Sequence, residues 1–311
     1  MFTFDKALLV HDIDLWLDST RVKEFGFISH GHTDHIARHR RILCSPPTAD
    51  FVKMRLKNPH CQPLNYNTPL RRGDATLTIF PAGHILGSAQ IKIEQNGCSL
   101  LYTGDFRISP GRTAEPFEFV HSDILVMEST FGLPQYTFPE RHAVEEELID
   151  LCSRLLKQGK TPLVLAYTLG KGQEALKILS DAHLPVAADL SILNYVPIYQ
   201  KYGVVFNSFT RYRKEDYQGR ILLFPVHSRF RRELRSLSNV YTIFLSGWAM
   251  DANRFGRMQV DKILPLSDHA DYNELIHLVE TTKPGQIYCT HGFEQFVDTL
   301  NHAGYQASLL K

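Results

Sequence analysis

The stretch ISHGHTDHIARH, residues 28–39, places three histidines and one aspartate within six positions: His30, His32, Asp34 and His35. The spacing is H-x-H-x-D-H, and in a chain of this composition such a match is expected by chance in only about two of a thousand sequences. Neutral imidazole and carboxylate suit borderline divalent cations such as Zn²⁺, with Mn²⁺ or Fe²⁺ as alternatives. The stretch therefore predicts a metal site. The alternative is a polar helix start with surface histidines, in which case the H-x-H-x-D-H spacing would have arisen by chance.

Further candidate ligands follow predicted strands. His84 lies in PAGHILGSA, Asp105 in LLYTGDF and His291 in IYCTHGF. Each alone fits a structural histidine or a turn-forming aspartate equally well, but the shared order of strand, ligand and nearby glycine favours ligands. Asp105 is placed to bridge two cations. His121 and His142 are alternatives for the last ligand, although neither stands between a strand and a glycine.

Short strands must position these residues. The alternation and turn signals predict strands over Val22–Ser29, Leu77–Pro81, Gln90–Glu94, Ser99–Thr103 and Ile124–Met127. A helix beginning near Thr33 would place Asp34 and His35 in its first turn. Residues 140–159 predict a helix ending at a glycine, followed by the strand PLVLAY and a helix from about Lys171. The strand VDKILPL, the helix DYNELIHLVETTK, the strand QIYCT and the helix GFEQFVDTLNHAG complete an α/β chain.

The amino-acid composition limits the classes of protein to which the chain can belong. The 311 residues are 43% hydrophobic and 22% charged, which suits one large or two moderate domains. No charged start with an apolar core and no long apolar run is present, so we expect a cytoplasmic protein without a membrane span. The net charge of +1 gives no general attraction for polyanions. Five cysteines without a C-x-x-C pair argue against disulfide or cysteine-zinc frameworks: Cys44, Cys61, Cys98, Cys152 and Cys289.

Together HGHTDH, AGHILGS, YTGDF and THG resemble the metallo-β-lactamase fold, a four-layer αββα sandwich with a metal site along one edge. The resemblance implies two divalent cations, Zn²⁺ being favoured over Mn²⁺ or Fe²⁺. It implies one cation held by His30, His32 and His84, a second held by Asp34, His35 and His291, and Asp105 bridging them. Asp18, in LWLDSTR, matches an early aspartate that supports the ligands through hydrogen bonds.

About 186 residues separate Asp105 from His291, more than connecting elements need, so an insertion is required. VMESTFG, with Glu128, and LSDHAD, with His269, resemble motifs A and B of the β-CASP nucleases, and His291 stands at motif C. AYTLGKGQEAL resembles the F-x-x-G-R-x-Q-E segment of their inserted domain, with Lys171 in place of arginine. We therefore predict an inserted α/β β-CASP domain at residues 134–260, between two parts of the metallo-β-lactamase domain at 1–133 and 261–311.

The resemblance also implies roles in hydrolysis of a phosphodiester bond. His269 would protonate the leaving oxygen, Glu128 would orient His269, and Asp34 would act in catalysis as well as in metal binding. The alternatives are a turn-capping carboxylate at Glu128 and a surface histidine at 269.

Several residues are expected to contact substrate. RYRK (residues 211–214) and SRFRREL (residues 228–234) combine cations with aromatic residues, as single-strand binding requires, although a solvated helix face fits too. Lys171 lies at a predicted helix start, where a phosphate is favoured, and Ser88 lies beside His84. The arginines expected to contact nucleic acid are Arg229, Arg231, Arg232, Arg235, Arg254 and Arg257.

ESTFGLP, AYTLGK, SGWAM, VDKILPLSDHAD and THGF resemble the short bacterial ligase-associated DNA exonucleases. This implies a DNA exonuclease in end processing and repair, acting on single strands or DNA ends beside a ligase and a helicase. A histidine at motif C is instead typical of the RNA-processing branch, so a β-CASP ribonuclease is the alternative. An inactive nucleic-acid-binding subunit and a thioesterase or lactonase are further alternatives, against which the complete ligand set and the β-CASP motifs argue.

Overall fold

The chain folds into two compact units, one made by the residues up to Thr137 and from His269 onward, the other by Phe138–Asp268. The computed structural model describes residues 2–226, 234, 236–251 and 260–310. The strand at Lys262–Leu264 pairs within the sheet of the second unit, whereas the sequence places the end of the insertion at residue 260. The functional names given to the domains stay predictions.

The first unit contains two sheets. The six strands of the first sheet lie in chain order: β1 (Phe2–Phe4), β2 (Leu8–Val10), β3 (Leu15–Leu17), β4 (Phe25–Phe27), β5 (Arg41–Cys44) and β6 (Cys61–Pro63). The second sheet has the order β19-β18-β11-β10-β9-β8-β7, and its strands are β7 (Leu70–Arg72), β8 (Ala75–Pro81), β9 (Ala89–Gln95), β10 (Cys98–Tyr102), β11 (Ile124–Glu128), β18 (Gln286–Thr290) and β19 (Ala307–Leu309).

The two sheets pack face to face, and helices cover their outer faces. Leu15 and Phe27 of the first sheet share one buried cluster with Ile79 and Ile91 of the second. Helix α1 (Pro46–Arg55) packs on the outer face of the first sheet through Ala49 and Val52. Two helices cover the second sheet: α6 (Tyr272–Thr282) and α7 (Glu294–His302). The predicted four-layer αββα sandwich is confirmed.

Strand direction gathers the candidate site residues. β10, β11 and β18 are parallel, and β8 runs in the same direction because it is antiparallel to β9, which is antiparallel to β10. The carboxyl ends of these strands therefore meet at one edge of the second sheet. The candidate site residues lie at the carboxyl ends of strands in the two sheets of the first unit. Glu128 is the last residue of β11, and the others follow β3, β4, β8, β10 and β18: Asp18, His30–His35, His84, Asp105 and His291.

One local prediction differs from the structure, and one helix of the first unit was not predicted. The helix expected from Thr33 is wrong, because only one 3-10 turn forms at Thr33–His35 and Ile36 returns to an extended backbone. Helix α1 was not predicted, because its buried residues are nearly consecutive rather than spaced at helical intervals: Pro47, Thr48, Ala49, Phe51 and Val52.

The second unit is a parallel sheet flanked by helices. The sheet has the order β14-β13-β15-β12-β16-β17, and its strands are β12 (Thr161–Ala166), β13 (Val186–Ala188), β14 (Phe209–Arg211), β15 (Ile221–Pro225), β16 (Val240–Leu245) and β17 (Lys262–Leu264). Its helices within the described residues are α2 (Arg141–Lys157), α3 (Lys171–Asp181), α4 (Leu190–Leu193) and α5 (Val196–Lys201). The alternation of strands and helices gives this unit its α/β character. Within the described part of the chain, every helix is too short or too polar to cross a lipid bilayer.

Candidate active site

Four side chains bring ligand atoms into one small space. The ligand atoms of His30, His32, His84 and Asp105 all lie within 4.8 Å of one another. The Nδ1 atom of His32 lies 3.0 Å from Nε2 of His30 and 3.2 Å from Nε2 of His84. The Oδ2 atom of Asp105 lies 3.6 Å from Nε2 of His30 and 3.9 Å from Nε2 of His84. We call these four residues the histidine cluster.

The histidine cluster fits a divalent cation. Nitrogen ligands about 2.0–2.1 Å from Zn²⁺ at tetrahedral angles lie about 3.3–3.4 Å apart, close to the two nitrogen separations at His32. A neutral imidazole nitrogen has one hydrogen or one lone pair to share, so it cannot satisfy two facing nitrogens by hydrogen bonding. Burial, and then the neighbouring His35 and His84, hold the pKa of His30 well below its usual value. His30 is therefore in the neutral form that a metal binds.

His35 lies beside the histidine cluster and faces its member Asp105. The Nε2 atom of His35 lies 3.3 Å from Oδ2 of Asp105. Burial lowers the pKa of His35, but Asp105 and Asp18 outweigh burial and raise that pKa well above its usual value. Burial likewise opposes ionisation of Asp105, but His35 outweighs it and holds the Asp105 pKa well below its usual value. Asp105 is therefore an ionised carboxylate, the form that binds cations.

Asp18, directly after β3, supports the cluster from behind. Its Oδ1 atom accepts the Ser29 N–H at 2.8 Å, and its Oδ2 atom accepts the hydroxyls of Ser29 at 2.6 Å and Tyr102 at 2.9 Å. The Nδ1–H of His35 donates to the same Oδ2 at 3.0 Å. Because the Ser29 hydroxyl donates to Asp18, its oxygen accepts from Nδ1 of His30 at 2.9 Å. Both imidazoles thus carry hydrogen on Nδ1, and their Nε2 atoms face the ligand group.

The loop between β8 and β9 holds His84 in place. Gly83 has a φ of 73°, and a Cβ there would lie 2.1 Å from the Arg107 carbonyl oxygen, so this close approach requires glycine. Ser88 is 1% exposed, and its Oγ accepts the backbone N–H groups of His84 at 3.0 Å and Ile85 at 3.3 Å. Ser88 therefore shapes the loop that carries His84. Its expected contact with substrate stays a prediction.

His269 is paired with a buried carboxylate. Its Nδ1 atom lies 2.9 and 3.0 Å from the two oxygens of Glu128, the last residue of β11. Glu128 also accepts the Phe106 N–H at 2.9 Å and the Thr130 hydroxyl at 2.6 Å. Carboxylate oxygens accept hydrogen bonds, so Nδ1 of His269 carries the hydrogen that it donates to Glu128. The ligand atoms of Asp105, Glu128 and His269 lie within 4.8 Å of one another, which joins this pair to the histidine cluster.

Three of the expected ligands lie outside the histidine cluster: His35, described above, Asp34 and His291. The side chain of Asp34 is 79% exposed, and its Oδ2 atom lies 3.9 Å from Nε2 of His35. His291 follows β18 with a φ of 56° and is exposed. The next residue, Gly292, packs so closely that a Cβ would lie 1.9 Å from the Ser129 hydroxyl oxygen. The metal-binding roles of Asp34, His35 and His291, and the catalytic role of Asp34, stay predictions.

Lys171 has a carboxylate partner in the second unit. It opens α3, is 4% exposed, and places Nζ 2.7 Å from Oδ1 of Asp268. Its expected contact with a phosphate stays a prediction. In RYRK the cations Arg211, Arg213 and Lys214 are exposed, whereas the Tyr212 ring packs edge-to-face on Phe224 with centroids 4.8 Å apart. The other expected nucleic-acid contacts lie outside the described residues: Arg229, Arg231, Arg232, Arg235, Arg254 and Arg257.

Sequence reasoning missed the hydroxyl groups of the site. Ser29 and Tyr102 bond to Asp18, and Thr130 bonds to Glu128. The only sequence signal for Ser29 is its position directly before His30. Tyr102 and Thr130 likewise stand near a ligand or a motif residue, but serine, threonine and tyrosine are too common at strand ends to be selected on that ground.

Comparison with known proteins finds one matching domain family and several related nucleases. Residues 257–306 match the Zn-dependent metallo-hydrolase RNA specificity domain. An RNase J-like protein of Methanocaldococcus jannaschii is 29% identical over 209 residues, which are 56% of this chain and 49% of that protein. The RNase aCSPSF2 of Saccharolobus solfataricus is 26% identical over 53% of this chain and 39% of its own length. These matches relate the chain to the β-CASP nucleases of the metallo-β-lactamase fold.

A further relative contains a region that is similar to nearly the whole length of this chain. A "Probable DNA ligase" of Opitutus terrae is 36% identical over 310 residues, which are 98% of this chain and 30% of that protein. The chain thus spans between about a third and a half of the length of the three relatives named here.

Proposed function

We propose that the protein is a nuclease that hydrolyses phosphodiester bonds with two divalent cations, Zn²⁺ in the first place, and that its substrate is single-stranded DNA or DNA ends. The observation that carries the proposal is the position of Asp105. It belongs both to the histidine cluster and to the group formed with Glu128 and His269. The residues proposed to bind a cation and the imidazole proposed to donate a proton therefore lie at one edge of the sandwich.

The residues fit the demands of phosphodiester hydrolysis. When bound, divalent cations neutralise charge on the phosphate and activate the attacking water. His30, His32, His84 and Asp105 would hold the first cation, and His35, Asp34, His291 and Asp105 the second. Asp18 and Ser29 keep His30 and His35 oriented through their Nδ1 hydrogens. His269 donates the proton on Nε2 to the departing oxygen, and Glu128 stabilises the charged imidazole before that transfer.

The choice between DNA and RNA rests on the relatives. The protein named as a probable DNA ligase includes a region similar to nearly all of this chain, which favours action on DNA ends beside a ligase, in end processing or repair. A helicase would be a further functional partner. The match to an RNA specificity domain and the RNase relatives favour the second candidate, an RNA-processing ribonuclease. We place DNA first because the ligase match covers more of the chain.

The test offers single-stranded DNA and RNA of one sequence, labelled at either end, to the wild type and to His269→Ala with Mn²⁺ or Zn²⁺. We expect metal-dependent cleavage of DNA that is faster than cleavage of RNA and releases nucleotides from one end. Removal of a general acid lowers the rate by about 10²- to 10⁴-fold, so His269→Ala should be slower by that factor.

His302→Ala is the matched control, because His302 is exposed at the end of α7. It should cleave as fast as the wild type. Cleavage of RNA that is faster than cleavage of DNA would show that the protein is a ribonuclease, the second candidate. Binding of metal and strands without cleavage would identify an inactive binding subunit, and ester hydrolysis alone would identify a small-molecule hydrolase.

A further inference from the structure

The connections of the parallel sheet in the second unit change direction between β12 and β16. β12 and β16 are neighbours and run parallel. After β12 the chain passes through α3 to β13, on the side of β15, whereas after β16 it passes to β17 on the opposite side. Connections that leave adjacent strands in opposite directions open a crevice at the carboxyl ends, which is where open α/β sheets bind ligands. We call this place the β12–β16 crevice.

Tyr167 is the first residue after β12, at the mouth of this crevice. It is 50% exposed, the largest exposure of any phenylalanine, tyrosine or tryptophan among the described residues. The residues that follow are not exposed in this way, since Leu169 and Lys171 are both buried. An aromatic ring is thus presented to solvent by a segment that is otherwise packed.

The ring stands on a rigid support. The Tyr167 carbonyl accepts the N–H of Gly172 at 2.9 Å, which ties the residue to the first turn of α3. A Cβ on Gly172 would lie 2.9 Å from that oxygen and 3.2 Å from Ile192, so the turn is closely packed. The Lys171 Nζ lies 4.8 Å from the centre of the Tyr167 ring and is itself held by Asp268. A ring held in this way loses little conformational freedom when a ligand stacks on it.

We propose that Tyr167 is a stacking platform for a nucleobase of the single-stranded substrate. This inference rests on the proposed function, and it assigns a specific substrate contact to the second unit. Every base offers a π face, so stacking on tyrosine holds a strand without reading its sequence. The hydroxyl is not needed for stacking, whereas the ring is.

The test compares Tyr167→Phe and Tyr167→Leu with the wild type on single-stranded DNA and on the same strand carrying one abasic site at successive positions. Loss of base–aromatic stacking weakens binding about 5- to 150-fold. Tyr167→Leu should raise KM by that factor with kcat nearly unchanged, and Tyr167→Phe should keep the wild-type KM. With the abasic site at the stacked position, the wild type and Tyr167→Leu should have the same KM.

Leu190→Ala is the control, because it removes another exposed apolar side chain, 43% exposed, just beyond β13 of the same sheet. It should leave KM unchanged. Strands containing 2-aminopurine provide a readout that needs no cleavage: the wild type and Tyr167→Phe should quench the fluorescence of one position, and Tyr167→Leu should not. If Tyr167→Leu has the wild-type KM and quenches the fluorescence fully, the stacking role is refuted, whereas the proposed nuclease activity is not affected. Quenching by a wild type that cleaves no strand would refute the nuclease and keep the stacking role.

Discussion

Replacing Glu128 with glutamine removes one negative charge and keeps the shape of the side chain. The amide oxygen can still accept the Phe106 N–H and the Nδ1–H of His269, and the amide NH₂ can donate to Thr130. The fold should therefore survive, with a melting temperature near that of the wild type. What is lost is the attraction between a carboxylate and the imidazole while His269 is positively charged.

The geometry gives the size of the effect. Both Glu128 oxygens lie within 3.0 Å of Nδ1 of His269, and the carboxylate is 2% exposed, so solvent screens it weakly. A hydrogen bond to a charged partner contributes about 1.5–3 kcal/mol, and a neutral one about 0.5–1.5 kcal/mol. The difference of about 1–2 kcal/mol corresponds to a 5- to 30-fold lower kcat for Glu128→Gln. KM should not change, because Glu128 is not expected to touch the substrate.

A double-mutant cycle in single-turnover cleavage measures this dependence. Since Glu128 acts through His269, the double variant Glu128→Gln/His269→Ala should be no slower than His269→Ala alone. Additive losses in the double variant would refute the reasoning, because they would show that Glu128 acts on the substrate or on the metal directly. An unchanged kcat in Glu128→Gln, in a protein that retains its melting temperature, would refute it as well.

Three further predictions concern the support of the site and the reactivity of the thiols. Asp18→Asn changes the carboxylate that accepts from His35 directly and from the Ser29 hydroxyl, which in turn accepts from His30. We therefore expect the affinity for Zn²⁺ to fall about 10- to 100-fold in a chelator competition; an unchanged affinity would contradict the supporting role. Burial raises the pKa of Cys152 to about 12, whereas a hydrogen bond from a neighbouring thiol lowers the pKa of the half-buried Cys61. The thiolate fraction at pH 8 is therefore larger at Cys61, and mass spectrometry after brief iodoacetamide treatment should find it alkylated and Cys152 intact; the reverse order would contradict the burial argument. Gly83→Ala and Gly73→Ala both place alanine at a positive φ, but a Cβ at Gly83 would lie 2.1 Å from a carbonyl oxygen and one at Gly73 meets nothing within 4 Å. Both variants should lose about 1–3 kcal/mol of unfolding free energy to backbone strain, and only Gly83→Ala should lose metal affinity as well; equal metal affinities would show that the loop holding His84 adapts.

The strand-end residues of the site could be predicted from sequence because their pattern is local. A short apolar strand followed by a histidine or aspartate and a nearby glycine marks the carboxyl edge of a sheet, and the structure brings His30, His32, His84 and Asp105 together there. The pairing of His269 with Glu128 was implied by family motifs, since 141 residues separate them. No spacing rule links residues that far apart.

Other features depend on packing that a single sequence does not display. The turn at Thr33–His35 is too short to be a helix because Ile36 must extend toward β5. The burial of Lys171 against Asp268 depends on two segments of the second unit that are distant in the chain, so the sequence around Lys171 does not predict this ion pair. The bonds from Ser29 and Tyr102 to Asp18 likewise join three separate strands.

We propose that His30, His32, His84 and Asp105 hold a metal ion on which nucleic-acid cleavage depends. The most direct measurement strips the protein with a chelator, adds Zn²⁺ or Mn²⁺ stepwise, and records bound metal and the cleavage rate of a labelled strand in the same samples. Cleavage should vanish on stripping and return in proportion to bound metal, and His84→Ala should bind less metal and cleave more slowly at every step. Full cleavage by protein that holds no metal, or a protein that never binds metal, would contradict the account.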